Sequence, residues 1–175
     1  MFIRRPFAAL AMLSVLAAPG FADAADKPTD PQIAHIAYTA GVIDIEAAKQ
    51  AIAKSKTKAV VDFANDMLRD HQAVNDQALA LVKKLNVTPE DNATSKALVK
   101  AADDERAKLD KLDGAAFDKA YVDNEVAYHK QVDDALETLL IPSAQNAELK
   151  SLLETGLKIF QGHEMHAEHV AAELK

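Results

Sequence analysis

The stretch Val60-Val61-Asp62-Phe63-Ala64-Asn65-Asp66-Met67-Leu68-Arg69-Asp70-His71, continuing to Leu85, decides the fold class. Along it, Val60, Ala64, Met67, His71, Val74, Ala78, Leu81 and Leu85 recur at alternating intervals of four and three. That spacing writes one face of a helix packed in a bundle. Every position in the row is apolar or small except His71.

Working outward, similar rows appear in three other segments: Ile33, Ala37, Ala40, Asp44, Ala47, Ala51; Val122, Glu125, His129, Val132, Leu136, Leu139; and Leu149, Leu152, Gly156, Ile159, His163, His166, Val170. Stop signals divide them. Thr29-Asp30-Pro31-Gln32 has the side chains of a helix start, with Gln three after Thr and Pro in the first turn. Helices are expected over 31–54, 58–85, 95–112, 115–140 and 146–174. The breaks fall at Ser55–Thr57, Asn86-Val87-Thr88-Pro89, Asp113-Gly114 and Ile141-Pro142-Ser143. The shorter third segment spans roughly 27 Å at ~1.5 Å per residue, about one bundle length. It can carry the chain back from the end of the second helix to the opposite end. The expected fold is therefore all-α: a ferritin-like four-helix bundle with one additional connecting helix.

Composition agrees. The 175 residues contain 5 Gly, 6 Pro and no Cys, and 49% are hydrophobic. Without cysteine there is no disulfide, thiolate metal site or cysteine nucleophile. A formal charge of −7 argues against nucleic acid and against anionic lipid as partners. Arg4 and Arg5, the apolar run Phe7–Ala18, the break at Pro19-Gly20 and the small-x-small motif Ala22-Asp23-Ala24 read as a secretory signal peptide over residues 1–24. The run is too short to span a bilayer. The expected product is one domain, residues 25–175, periplasmic in a Gram-negative source, with no membrane insertion once the leader is removed.

The seams contain the wrong residues for a dry core. Their exceptions are Asp44, His71, Glu125, His129, His163 and His166, all imidazole or carboxylate. Counted in turns from the helix breaks, these six fall at similar heights near the middle of an antiparallel bundle. Glu125 and His129 share a helix face, as do His163 and His166. Such groups buried among Ala, Val and Leu must be neutralised, paired or bound to a cation. Imidazole with carboxylate suits a first-row transition metal ion better than Ca or Mg, with zinc or copper ahead of iron. A second reading is a hydrogen-bonded network without metal. His35 and His169 are expected at the surface. Glu164 lies on a flanking row, and Asp103-Asp104-Glu105 and Asp133-Asp134 read as solvated acidic faces. Phe63, Phe117, Tyr121, Tyr128 and Phe160 read as core. No GxSxG, Walker loop, dinucleotide fingerprint or H-E-x-x-H is present.

Five blocks, in order, resemble one family of secreted bacterial proteins, domain-of-unknown-function family 4142. Phe63-Ala64-Asn65-Asp66-Met67-Leu68-Arg69-Asp70-His71 is similar to its F-A-x-x-M-x-x-D-H signature, and Gly114-Ala115-Ala116-Phe117-Asp118-Lys119-Ala120-Tyr121 to its G-x-x-F-D-x-x-Y block. His129 follows, as the family's next histidine does. Gly41 to Glu46 resembles its first-helix stretch, and His163 with Ala167 its closing H-x-x-x-A. The resemblance implies a ferritin-like bundle, export, and a metal site at Asp44, His71, His129 and His163. Asp44 stands where the family tends to have Glu, and Lys158 where Pro is common. The ferritin-like di-iron pattern wants Glu-x-x-His on two helices. Here Met67 lies four before His71, and Glu125 lies four before His129. A mononuclear, histidine-rich site fits those spacings better than a ferroxidase.

The functional expectation is a periplasmic metal-binding bundle engaged in buffering or stress protection. The alternatives are a non-metal interaction module with a pH-responsive histidine network, and a ferritin-like oxidase.

Overall fold

The computed structural model describes residues 27–174. The expected leader lies outside the described residues. Five helices account for most of them, and no strand occurs among them. They are α1 (Asp30–Lys54), α2 (Lys58–Lys84), α3 (Ala93–Leu109), α4 (Gly114–Ala135) and α5 (Ala147–Glu173). No helix among the described residues is long and apolar enough to cross a membrane.

Local chemistry sets the ends. The Thr29 N–H donates to Gln32 Oε1 at 3.1 Å, and Pro31 occupies the first turn of α1. Asn92 Oδ1 accepts from the Ser95 N–H, and Asn146 Oδ1 from the N–H groups of Glu148 and Leu149, capping α3 and α5. Asn86, just past α2, adopts φ 52°, the left-handed stop that Asn tolerates. Gly114, at φ 56°, turns the chain into α4.

The end of α4 departs from expectation. Pro142 was expected to stop the helix. Instead the chain widens into a π turn over Leu136–Leu140, where the Ile141 N–H donates to Leu136 O, then makes one more α turn, Ile141–Ser143. Proline lacks an N–H and crowds the preceding turn. The π turn lets the helix continue past it.

The four long helices pack as a bundle, with α1 against α2, α4 against α5, and α2 against α5. The connector α3 runs along α1 in the same direction. The Glu90 N–H donates to Pro31 O at one end, and Lys54 Nζ to Asp110 O at the other. Gln50 Nε2 donates to Arg106 O and to Asp110 Oδ1. Of the α3 residues only Ser95 and Leu109 are buried, so the helix straps the bundle rather than contributing to its centre. The start of α5 is tied to the start of α1 by Asp30, whose carboxylate accepts from the N–H groups of Gln145 and Asn146 at 2.8 Å each.

Two apolar clusters fill the interior. The upper one joins Ala48 and Ala51 to Val60, Phe63, Met67, Phe117, Tyr121 and Val170. The lower one joins Ile33 and Ile36 to Leu136, Leu140, Leu149, Leu153 and Phe160. Between them lies the polar level. One glycine enables a close approach there: a Cβ on Gly41 would sit 2.4 Å from Asn75 Oδ1.

Candidate metal centre

The buried seam of α2 delivers His71 to the middle of the bundle. Asp44 comes from α1, Glu125 and His129 from α4, and His163 from α5. All five are at most 6% exposed. The sixth candidate, His166, is not brought in. Its side chain is 40% exposed, and its ring sits edge-on to Phe63. The reason is helical phase. From Leu149 the buried row of α5 steps four then three, through Leu153, Gly156, Phe160, His163, Ala167 and Val170. The expected row stepped three then four, which shares Leu149, Gly156, His163 and Val170 but puts His166 where Ala167 lies. His169 is exposed as expected, whereas His35 is only half-buried beside α3.

The three buried imidazoles form a triangle, with ring centroids 5.6, 5.1 and 5.5 Å apart. Each offers one ligand nitrogen, and these nitrogens lie within 4.8 Å of one another. Asp44, Glu125 and His129 make a second such group sharing His129.

Outer partners set the tautomers. His129 Nδ1 lies 3.0 Å from the Glu125 carbonyl oxygen. A carbonyl only accepts, so Nδ1 carries the proton and Nε2 keeps a lone pair. Nε2 is buried with no partner. His163 Nε2 lies 3.1 Å from Asp70 Oδ2. Arg69 grips that carboxylate with Nε on Oδ1 at 2.7 Å and Nη2 on Oδ2 at 2.9 Å, holding its pKa below the usual carboxylate range. Asp70 is thus an ionised acceptor, Nε2 of His163 donates, and Nδ1 is left with an unpartnered lone pair. His71 stacks on Phe160 at 4.7 Å and 9°, and neither of its ring nitrogens has a hydrogen-bond partner. Its Nε2 is 3.5 Å from Asp44 Oδ2.

Burial pushes all three imidazoles toward the neutral form, His129 to about 4. It pushes the Asp44–Glu125 pair the other way. Asp44 is raised by burial and then by Glu125, and Glu125 rises to about 8 by burial. Tyr121, whose hydroxyl is buried without a partner, lies close enough for both carboxyls to raise its pKa along with burial.

Asp133 corrects the expected solvated face. It is buried, and neither carboxyl oxygen has a partner. Burial first, then Glu164 on α5, raises its pKa to about 7.

These shifts predict how the metal-free protein responds to pH. The imidazoles have folded pKa values below 6.5, so the unfolded chain binds more protons there and stability is lost as pH falls below 6.5 toward about 4. The carboxyl groups have raised folded values, so the native state binds more protons between about 4.5 and 8, and stability is lost as pH rises through that window. The two effects oppose each other below 6.5, and above it only the carboxyl groups act. At about 1.4 kcal/mol per pH unit for one proton, stability is expected to fall by about 1–2 kcal/mol between pH 6.5 and 8. Urea midpoints at the two pH values measure it, and a rise over that interval would contradict the assignment.

Asp70 was not among the expected ligands. Its signals were its match to the aspartate of the family signature and its place beside His71, which puts it off the α2 seam and toward α5. Phe160, read simply as core, is also the stacking partner of His71.

A family model described as a domain of unknown function, DUF4142, matches residues 16–170. No curated protein and no solved structure matches the chain.

Proposed function

The chain belongs to the DUF4142 family, and we propose that it is a periplasmic metal-binding helical bundle. In this reading His71, His129 and His163 hold one first-row transition ion, with Asp44 and Glu125 beside them as further oxygen donors. Metal buffering or stress protection is its role.

One observation carries the reading. Three buried imidazoles converge with nitrogens that nothing among the described residues satisfies. Buried polar groups normally find partners, so a cluster of orphans facing one another fits an ion better than a closed hydrogen-bond network. The outer contacts support it, because metal-binding histidines generally donate their second N–H to a carboxylate or a carbonyl. Glu125 O and Asp70 occupy those places for His129 and His163. The residues therefore fit such an ion. When bound, it would supply charge to neutralise the carboxyl pair and fill the orphaned lone pairs. Nitrogen donors in the majority favour zinc or copper.

Thermal unfolding of the metal-free protein with Zn, Cu, Fe, Mn and Ni tests the reading. The correct ion binds the native state and raises the midpoint in proportion to log concentration beyond saturation. No shift with any of the five would refute it. Asp70→Asn has a defined effect in the same assay. It removes the charge that orients His163, and the loss expected is 10–100-fold in metal affinity, about the range for such outer partners. Unchanged affinity would mean that Asp70 does not orient a ligand.

A further inference from the structure

The lower half of the bundle holds a cavity of about 140 Å³. Its walls come from all five helices and the π turn, with Ile36, Val74, Leu136, Leu153 and Phe160 among them. Only Thr94, Asn75 and Gln131 bring polar side-chain atoms to its lining, and no charged residue reaches it. Asn75 is already engaged, its Nδ2 donating to Tyr38 O at 3.4 Å.

Protein interiors rarely keep voids much larger than a water molecule, because such voids forfeit packing. Water is a poor filler here, since a buried water needs two to four polar partners. An engineered apolar cavity of about 150 Å³ in another protein stays dry and takes benzene or xenon. Leu139 lines the cavity and is 41% exposed, so the lining reaches the surface. At the inner end Phe160 is shared: it walls the cavity and stacks on His71.

We infer that this cavity is a binding site for a small, uncharged, apolar molecule of about benzene size, in contact through Phe160 with the histidine cluster. The inference is independent of the metal reading. It concerns different atoms and is tested on metal-free protein.

The probe is benzene, observed by NMR with methyl-labelled protein. Intermolecular NOEs are expected to the methyls of Leu136 and Leu153 and to the ring of Phe160. The ring resonances of His71 are expected to move on saturation, while those of exposed His169 stay in place. Ala34→Leu and Ala78→Leu, which fill the wall, are each expected to weaken benzene at least tenfold. A xenon-129 shift titration of the unsubstituted protein is expected to saturate as a single site, which keeps the test valid if a filled variant does not fold. Absence of NOEs with a non-saturating xenon response, or unchanged benzene affinity in both folded filled variants, would overturn the inference.

Discussion

His129→Leu is expected to cut metal-dependent stabilisation by about 3 kcal/mol while leaving the metal-free protein within about 1 kcal/mol of its original stability. The two halves of that result have separate causes. Structural zinc sites contribute roughly 10–16 kcal/mol over four ligands, so one ligand accounts for about 3 kcal/mol, a hundredfold or more in affinity. Without metal, His129 is a buried imidazole whose Nε2 has no partner. Leucine is close to it in volume and has no polar atom to desolvate. The Nδ1–H bond to Glu125 O is lost, but that carbonyl keeps its place in the α4 ladder, and removing the partnerless Nε2 offsets most of the cost. A histidine serving a satisfied network would behave in the opposite way, because its removal would strand a partner. Urea midpoints of both proteins, with and without the ion, read the two halves separately. Large destabilisation of the metal-free variant with metal response retained would contradict the assignment.

Phe63→Ala has the largest expected effect on the fold itself. Phe63 is fully buried in the upper cluster. Its ring lies 6.2 Å from Tyr121 and edge-on to His166 at 5.1 Å. Truncation removes apolar contact and leaves a cavity, together about 3–5 kcal/mol. Against a typical total of about 5–15 kcal/mol, that loss brings the protein to the margin of folding. The urea midpoint falls accordingly at constant slope. The cluster is separate from the ligand nitrogens, so whatever remains folded should still respond to metal. A midpoint within the error of the parent protein would contradict the placement of Phe63 at the centre of the upper core.

How much of this was legible in the sequence varies from helix to helix. In α2 the row through Val60, Ala64, Met67 and His71 is the buried face, because the apolar residues there leave only one phase open. Beyond His71 the face shifts by one residue, and Asn75 rather than Val74 is buried. That placement depends on Gly41 of α1, a tertiary fact. In α4 the same slip replaces Val132 by Asp133. In α5 both phases of the alternation offered credible residues, Ile159 and His166 in one, Phe160 and Ala167 in the other. Periodicity does not choose between them, but packing does. The convergence of Asp44, His71, Glu125, His129 and His163 was readable because each is a polar exception in an apolar row at a common height. Asp70 was not, since its role depends on which helix lies beside α2. The π turn was not, since proline predicts a disruption without saying whether the helix ends or widens.

Whether the orphaned imidazoles hold metal is read from the metal content of the untagged protein, purified without chelators and analysed by mass spectrometry alongside His71→Ala and His129→Ala. The prediction is close to one equivalent of a single first-row ion, lost in both variants. Protein that is empty as purified, and that takes up none of Zn, Cu, Fe, Mn or Ni after incubation and desalting, would contradict it.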